Sequence, residues 1–278
     1  MDALSAGAQR LLRTAAAAGR AVPDRLLAEV AGLTEPELFA TLRELVENHL
    51  LLVDSGGHGY VFRHALTRDA VYEDMLPGER IRLHEAYGAA LARDPGPGEE
   101  DAGRSAALAY HWHAALDLPR ALPAAIDAAR HALASYAPAE ALRQLERALE
   151  LWPRVADAAE RTGVDQAEVG RLAAEAARGA GALDRSALLL TDALAQLPAD
   201  ASPERRALLL ERLAQAQRDA GRVAEAVAAL EQALALLPAD QTSRVHAVVM
   251  AALAIQGAAL VIRQALAELR LGRFAPAA

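Results

Sequence analysis

The sequence predicts a mainly α-helical protein in which a small domain with one β-hairpin precedes an α-solenoid of helix pairs. Two short apolar runs flank a glycine-bearing turn within residues 50–62, which predicts the hairpin. A stretch rich in proline, glycine and acid follows Arg93, and the alanine-rich remainder is helical and self-similar. The predicted boundaries are 1–93 for the first domain with a two-helix extension, 94–103 for a linker, and 104–278 for the repeats.

The hairpin turns at Ser55-Gly56-Gly57-His58, because glycine adopts the positive φ that tight turns need. Side chains alternate between the two faces of a strand. The alternation predicts one buried face for Leu50, Leu52, Tyr60 and Phe62.

Three helices are predicted before the hairpin. Pro23 begins the second helix and Gly32 ends it, while Thr34 and Glu37 form the capping-box pattern at the start of the third. Three helices followed by a two-stranded hairpin are the plan of a winged-helix domain. In DNA-binding proteins of this kind the third helix enters the major groove.

The third helix has the wrong charge for reading DNA. Residues 34–49 contain Arg43 as the only base against four glutamates, a net charge of −3, and the hairpin adds Asp54 without an arginine. Carboxylates that face phosphates release no counterions, so the electrostatic contribution opposes binding. No direct DNA binding is expected. The alternative is a free-standing winged-helix transcription factor with a repeat domain for effectors.

Composition narrows the class further. The net charge of −8 argues against extensive nucleic-acid binding. The chain has no cysteine, which excludes disulfides and thiolate metal sites and suits the cytoplasm, and no signal peptide is evident at its start.

Residues 245–262 are uncharged and just reach the length of a membrane helix, but polar and small residues interrupt them. They are predicted to form a buried helix pair rather than a membrane span. So many apolar residues need a cover, which predicts either further repeats or a homo-oligomer through 245–262.

Three segments of the second half align with one another. Each has a small residue, an alanine seven positions later and a proline five positions beyond: Ala141, Ala148 and Pro153; Ser186, Ala193 and Pro198; Ala226, Ala233 and Pro238. Small residues seven apart lie on one stripe of a helix and let a neighbouring helix approach closely. This pattern resembles the tetratricopeptide repeat. The period of about 40–45 residues is longer than usual and predicts irregular connections.

No catalytic or metal site is evident. A phosphate-binding loop needs lysine, and the chain has none. His84-Glu85 is followed by Gly88 where a zinc protease has its second histidine. His111 and His113 are two residues apart on a helix and point in different directions, so packing roles are expected for them. The chain is therefore expected to be non-catalytic and without a cofactor of its own.

The stretch FRHALTRDAVYEDMLPGERIRLHEAYGAAL at 62–91, followed by AYHWHAALDLPRAL at 109–122 and the repeats, is similar to one group of proteins. These are the large ATP-binding regulators of the LuxR family and the related signal-transduction ATPases with numerous domains (STAND proteins). In that family an ATPase module precedes a winged helix and tetratricopeptide-like repeats, often with a terminal helix-turn-helix. The resemblance implies the middle part of a longer regulator, or a truncated relative.

The resemblance also implies roles for the parts. The winged helix would be a lid on the ATPase module of the same parent protein, and the repeats would bind an effector or a partner protein. ATP or ADP would be needed only with that module attached. His64 matches a histidine that contacts the ADP phosphate, with Arg63 and Arg68 nearby. The alternative is that His64 only caps or packs at a helix start.

In tetratricopeptide arrays the first helix of each pair lines the concave face. Counting back from the three prolines places nine residues on this groove: Ile126, Arg130, Glu168, Arg171, Glu175, Arg178, Glu211, Gln215 and Arg218. The groove is therefore predicted to be polar and mixed in sign, which suits a peptide, a partner helix or a polar effector. The alternative is that these charges only solvate the inner face.

Overall fold

The computed structural model describes residues 4–19, 21–54, 56–57, 59–93, 101–237 and 244–255. These residues are mainly helical and include one small three-stranded sheet. The chain divides into two compact units, Met1–Ala128 and Ala129–Ala278.

The first unit contains the predicted three helices and hairpin and, after them, three further helices. Its elements are α1 (Ala6–Ala18), β1 (Ala21–Pro23), α2 (Asp24–Ala31), α3 (Glu35–Glu47), β2 (Leu51–Val53), β3 (Gly59–Phe62), α4 (Ala65–Asp74), α5 (Pro77–Arg93) and α6 (Asp101–Ala114). Helix α7 (Leu118–Ala134) spans the division between the units. The core of the first unit is aliphatic, and its fully buried side chains include Leu11, Leu27 and Leu45.

The hairpin lies where the glycine turn predicts it, but one residue of its buried face is wrong. The Asp54 N–H donates to the Gly59 carbonyl oxygen at 2.8 Å and closes the turn. Leu51 pairs with Phe62 and is 1% exposed, whereas Leu52 pairs with Val61 and is 40% exposed. Because side chains alternate, moving the register by one residue exchanges the buried and exposed faces.

A third strand, β1, was missed by the sequence analysis. It pairs antiparallel with β3, so the sheet order is β1-β3-β2. Gly59 makes this pairing close: a Cβ placed on it would lie 2.5 Å from the Val22 carbonyl oxygen. A strand of only three residues that ends in proline carries too little pattern to be recognised from sequence.

Helix ends in the first unit use the predicted residues. Gly32 ends α2 in the left-handed conformation with φ 64°, and the Glu37 carboxylate accepts from the Thr34 N–H at 2.9 Å. The Glu44 carboxylate accepts from the Ser5 N–H at 2.7 Å and from its hydroxyl at 2.6 Å. These hydrogen bonds lower the pKa of Glu44, with the hydroxyl bond as the larger cause. Two of the acids on α3 are thus engaged in local structure.

The predicted linker at 94–103 is only partly testable. Residues 94–100 lie outside the described part of the chain, and Asp101–Gly103 form the first turn of α6, so the helix begins earlier than predicted. The boundary between the units also falls later, between Ala128 and Ala129. The reason is that α6 packs against α5: a Cβ on Gly88 would lie 2.8 Å from the Trp112 ring, so glycine is needed for this approach.

The second unit is a series of consecutively packed helices. After α7 come α8 (Pro138–Leu151), a 3-10 turn (Trp152–Arg154), α9 (Ala158–Thr162), α10 (Gln166–Gly179), α11 (Leu183–Ala195), α12 (Pro203–Asp219), α13 (Val223–Ala235) and a helix at 244–255. The 3-10 turn and the short α9 lie between α8 and α10, which accounts for the long period there.

The small residues of the repeat pattern are buried as predicted. Their exposed fractions are 2% or less at all six positions: Ala141, Ala148, Ser186, Ala193, Ala226 and Ala233. Close approach is visible at Gly170 of α10, where an added Cβ would lie 3.0 Å from the Cβ of Ala193 of α11. Pro153 and Pro198 lie just beyond their helices, while Pro238 lies outside the described residues.

The apolar segment at 245–262 is described only as far as residue 255. Val249 is buried, whereas Met250 and Ile255 are 46% and 61% exposed. Homo-oligomerisation through this segment stays a prediction. Among the residues described, no helix combines the length and the apolar character needed to cross a membrane.

The turns within helix pairs share one backbone conformation. Tyr136, Gly181 and Gly221 all have positive φ, and the next N–H donates to a carbonyl oxygen five residues earlier in each case. The described turns at Gly181 and Gly221 use glycine, while Tyr136 adopts this conformation with its side chain 93% exposed. A residue with a Cβ is disfavoured there because it approaches the following carbonyl oxygen.

We therefore expect substitutions at equivalent turns to change the free energy of unfolding in opposite directions. Gly181→Ala should lower the free energy of unfolding by about 1 kcal/mol, because nothing contacts the added Cβ and only backbone strain is introduced. Tyr136→Gly should raise it by a few tenths to about 1 kcal/mol, since the exposed ring gives up little packing. Urea unfolding followed by circular dichroism measures both. Two shifts of the same sign would contradict this account of the turns.

Candidate functional site

A shallow polar cleft with a cavity volume of only about 20 Å³ lies within the second unit, on the surface formed by α10, α11 and α12. Helix α10 contributes Arg171, Glu175 and Arg178, and α12 contributes Arg212 and Gln215. Its floor consists of Ala174, Ser186, Leu190 and Ala216, all buried. We call these nine residues the α10–α12 cleft. The buried Ser186 hydroxyl donates to the Ala174 carbonyl oxygen at 2.8 Å, which joins α11 to α10 beneath the charged side chains.

Arg171 is held in place by two glutamates on its own helix. Its Nε and Nη2 donate to the two carboxylate oxygens of Glu168 at 2.9 and 2.8 Å, and its Nη1 donates to Glu175 at 3.1 Å. The hydrogen bond that Arg171 donates to Glu168 is the largest cause that raises the pKa of Arg171. This side chain is therefore oriented and largely neutralised within the helix.

The two remaining arginines of the cleft are weakly paired. The side chain of Arg178 is exposed and forms no ion pair or hydrogen bond with the described residues. Arg212 has its Nε 3.7 Å from Glu211 and is 53% exposed. The lining residues of the cleft include three arginines and one glutamate, so the lining itself carries a surplus of positive charge although the whole chain is acidic. Glu168 beside Arg171 and Glu211 beside Arg212 reduce this surplus.

An ion pair between α12 and α10 joins the two helices that form the walls of the cleft. Arg205 of α12 donates through both Nη atoms to Asp165, the N-cap residue of α10, at 2.6 and 2.7 Å. The hydrogen bond from Arg205 is the largest cause that lowers the pKa of Asp165. Two parallel bonds fix the relative orientation of the two groups better than one. The first helices of neighbouring pairs are thus joined at one end.

The structure brings together only some of the residues predicted for the groove. Four of them line the α10–α12 cleft, and Glu168 joins them through Arg171: Arg171, Glu175, Arg178 and Gln215. Ile126 is a wrong prediction for an accessible groove, because it is 1% exposed and belongs to the core. Arg130 is exposed but does not line the cleft, and Arg218 lies 3.5 Å from Asp219 instead.

Arg212 is the one charged lining residue that the sequence did not predict. The count from the prolines selects Glu211, but its side chain is 15% exposed, and the neighbouring Arg212 lines the cleft. One step along a helix rotates the side chain by about 100°, so an offset of one residue replaces a groove-facing position with its neighbour. The apolar residues of α10 and α12 mark the buried face of each helix, and aligning the two helices by these faces could have identified Arg212.

The residues predicted to contact a nucleotide lie together near the start of α4 in the first unit. His64 is the exposed N-cap residue, and Arg63 beside it is also exposed. Arg68 donates from Nε and Nη2 to Asp69 at 3.0 and 2.7 Å. The first two side chains are therefore accessible to a ligand, and the nucleotide role stays a prediction.

A buried cluster of histidine and aromatic side chains joins α4, α5 and α6 in the first unit. His84 is 0% exposed; its Nε2 lies 2.8 Å from the Tyr72 hydroxyl and its Nδ1 lies 2.9 Å from Nδ1 of His111. His111 stacks on Tyr87 with ring centroids 4.9 Å apart, and the Tyr87 hydroxyl donates to the Thr14 carbonyl oxygen. The packing role predicted for His111 is confirmed, while the pairing with His84 was not foreseen.

The histidine pair is stable only when at most one proton lies between the rings. Burial lowers the pKa of His84, and burial together with the nearby His84 lowers the pKa of His111. If both imidazoles were protonated, two N–H groups would face each other at the 2.9 Å contact without an acceptor. The cluster therefore opposes protonation in the folded state.

We expect the first unit to lose stability below the ordinary histidine pKa of 6.5. Below this pH the unfolded chain binds protons that the folded cluster excludes. The contribution of the two histidines to the free energy of unfolding is therefore fully present above this pH and is lost as the pH falls. At about pH 5.5 the loss should be about 1 kcal/mol per histidine. Urea unfolding followed by Trp112 fluorescence in a Trp152→Phe background measures it, since the chain has two tryptophans.

The control for this prediction uses two variants. His111→Phe keeps a ring against Tyr87 and removes one titrating group, so the change in stability with pH should fall by about half. His49→Asn is the matched variant outside the cluster: it removes an exposed imidazole at a positive φ that asparagine tolerates. A reduction as large as that of His111→Phe would mean that the buried cluster is not the source of the pH dependence. A stability that does not vary between pH 7.5 and 5.5 would contradict the burial argument.

No group of three or more metal-ligating side chains occurs within the described ranges.

No protein-family model matches the chain, and no curated protein matches it.

Among the solved structures that are similar to the chain are two from different organisms. The crystal structure of BtubC (BKLC) from P. vanneervenii is 17% identical with a TM-score of 0.36, and the match covers 64% of this chain and 84% of that one. A signal-transduction ATPase with numerous domains and a tetratricopeptide-repeat sensor, from Pyrococcus horikoshii, is 13% identical with a TM-score of 0.35. The match covers 95% of this chain and 49% of that protein, so the chain spans about half its length. At TM-scores this low, neither similarity assigns a function.

Proposed function

We propose that the chain is a non-catalytic regulatory sensor whose helical repeats bind an acidic segment of a partner protein in the α10–α12 cleft. The observation that carries the proposal is the state of the three cleft arginines. Arg171 is oriented by Glu168 and Glu175, while Arg178 and Arg212 extend from neighbouring first helices with little compensation. Such an arrangement attracts carboxylates and suits a polar peptide better than an apolar ligand.

The structural role of the repeats supports this use of the cleft. The Asp165–Arg205 ion pair and the buried Ser186 hydroxyl hold α10, α11 and α12 in fixed positions. A preformed surface loses less entropy on binding than one that must order its side chains. The charged residues are therefore presented by a scaffold whose own contacts do not depend on them.

The first unit is proposed to be a winged helix. The order helix, strand, helix, helix, hairpin, with β1 paired to β3, supports this assignment. With the resemblance of residues 62–91 it supports a place in a bacterial transcriptional regulator of the LuxR or STAND type. In such a parent the winged helix would cover an ATPase module, and the exposed His64 and Arg63 would face its ADP or ATP.

The partner proposal predicts the effect of charge reversal. In the full chain, Arg178→Glu together with Arg212→Glu should weaken binding of acidic 15-residue peptides from an array by about tenfold or more, because both charges then repel the ligand. The free energy of unfolding should change little, since both side chains are exposed. Fluorescence anisotropy of the best-binding peptide gives the dissociation constants.

The matched control is Arg154→Glu, an exposed arginine in the 3-10 turn that does not line the cleft. It changes the net charge by the same amount per residue and should leave peptide binding unchanged. Equal affinity of the double variant and of the unsubstituted chain for the acidic peptide would refute the proposed cleft. Array binding without any preference for acidic sequences would refute the chemistry assigned to the partner.

A winged-helix transcription factor that binds DNA directly is the competing function, and the surface of α3 argues against it. Its exposed residues include Glu35, Glu37 and Glu47, with Arg43 as the one exposed base on the helix. We expect no retardation of DNA by the full chain at physiological salt and only weak, sequence-independent retardation at low salt. Submicromolar, sequence-specific binding in the gel-shift assay would favour the transcription factor instead.

A further inference from the structure

A second cleft lies in the first unit between α1, the end of α2 and the start of α5. Its volume is about 390 Å³, within the range of small-molecule sites. Its lining includes apolar side chains from each side, among them Val30, Leu33, Met75 and Leu83. We call it the α1–α5 cleft. It is separate from the α10–α12 cleft and from the exposed His64.

Three arginines line the α1–α5 cleft. Arg10 and Arg13 lie one turn apart on α1, and Arg82 is on α5. Arg10 and Arg82 are exposed and form no ion pair within the part of the chain that the structure describes. The one acid in the lining, Glu79, is engaged with its own helix start, where its carboxylate accepts from the Leu76 N–H at 2.9 Å.

Arg13 is incompletely satisfied in this position. Its Nη2 lies 3.8 Å from the Asp74 carboxylate, a long contact for an ion pair. Its Nε is buried and has no acceptor among the described residues. A buried donor without a partner is unfavourable, so an anion that approached this guanidinium would relieve an existing cost.

We propose that the α1–α5 cleft binds a small amphipathic organic anion. The carboxylate or phosphate group would contact Arg10, Arg13 and Arg82, and an apolar body of a few carbons would lie against Leu33, Met75 and Leu83. The local charge favours an anion although the chain carries a net charge of −8. The apolar lining distinguishes this ligand from a simple inorganic ion.

The test is isothermal titration of the full chain with hexyl phosphate and hexanoate, compared with inorganic phosphate and hexanol. We expect at least one of the two amphipathic anions to bind, and both partial ligands to bind about tenfold or more weakly than it. Binding of hexyl phosphate alone would identify the anionic group of the ligand as a phosphate monoester. Binding of hexanoate, alone or together with hexyl phosphate, would show that a carboxylate is sufficient for binding. No heat from either amphipathic anion at millimolar concentration would overturn the proposal.

Variants locate the site. Arg10→Gln with Arg82→Gln should weaken binding by about tenfold or more, since two charged donors are lost. Arg43→Gln, which removes an exposed arginine of α3 outside the cleft, should have no effect. Unchanged binding by the double variant would overturn the proposal.

Two further measurements test for other occupants of the cleft. A hexaglutamate peptide that binds more tightly than hexyl phosphate, and is lost in the double variant, would mean that a partner's acidic segment occupies the cleft instead. A dimer in sedimentation that the double variant dissociates would mean that a second copy of the chain does so. Either result would overturn the assignment of a small ligand.

Discussion

Close approach between helices through small side chains is the constraint on which both units depend. The chain has few aromatic residues, and its buried side chains are mainly leucine and alanine. Gly170 against Ala193 in the repeats and Gly88 against Trp112 in the first unit show how little space separates neighbouring helices. Interiors packed this densely do not accept an extra methylene without displacement, so these positions determine which helices can be neighbours.

The same packing decides where charged residues are free to act. Alanine stripes use one side of each repeat helix for contact, so charged side chains collect on the opposite face. Many acids then have structural partners: Asp165 caps α10 and binds Arg205, and Glu37 and Glu44 bind main-chain or hydroxyl donors. Some arginines lack such partners. This is how an acidic chain presents two clefts with a surplus of positive charge.

Much of this could be read from the sequence, because it depends on local spacing. The glycine turn at 56–57, the end of α2 at Gly32 and the small residues at Ala141 and Ala148 are consequences of neighbouring residues and of helix geometry. The polar character of the repeat groove followed from the same periodicity. Helical phase was the weak point, and it exchanged Arg212 for Glu211 at the cleft.

The sequence by itself determined the helical class, the hairpin, the repeat stripe and the acidic surface of α3. The tertiary structure decided the pairing of β1 with β3, the register that buries Leu51, and the contact between His84 and His111. It also placed Arg10 and Arg82 around one cleft. The physical reason is distance along the chain: caps, turns and stripes form between residues a few positions apart, whereas strand pairing, buried polar contacts and clefts depend on which distant segments pack together.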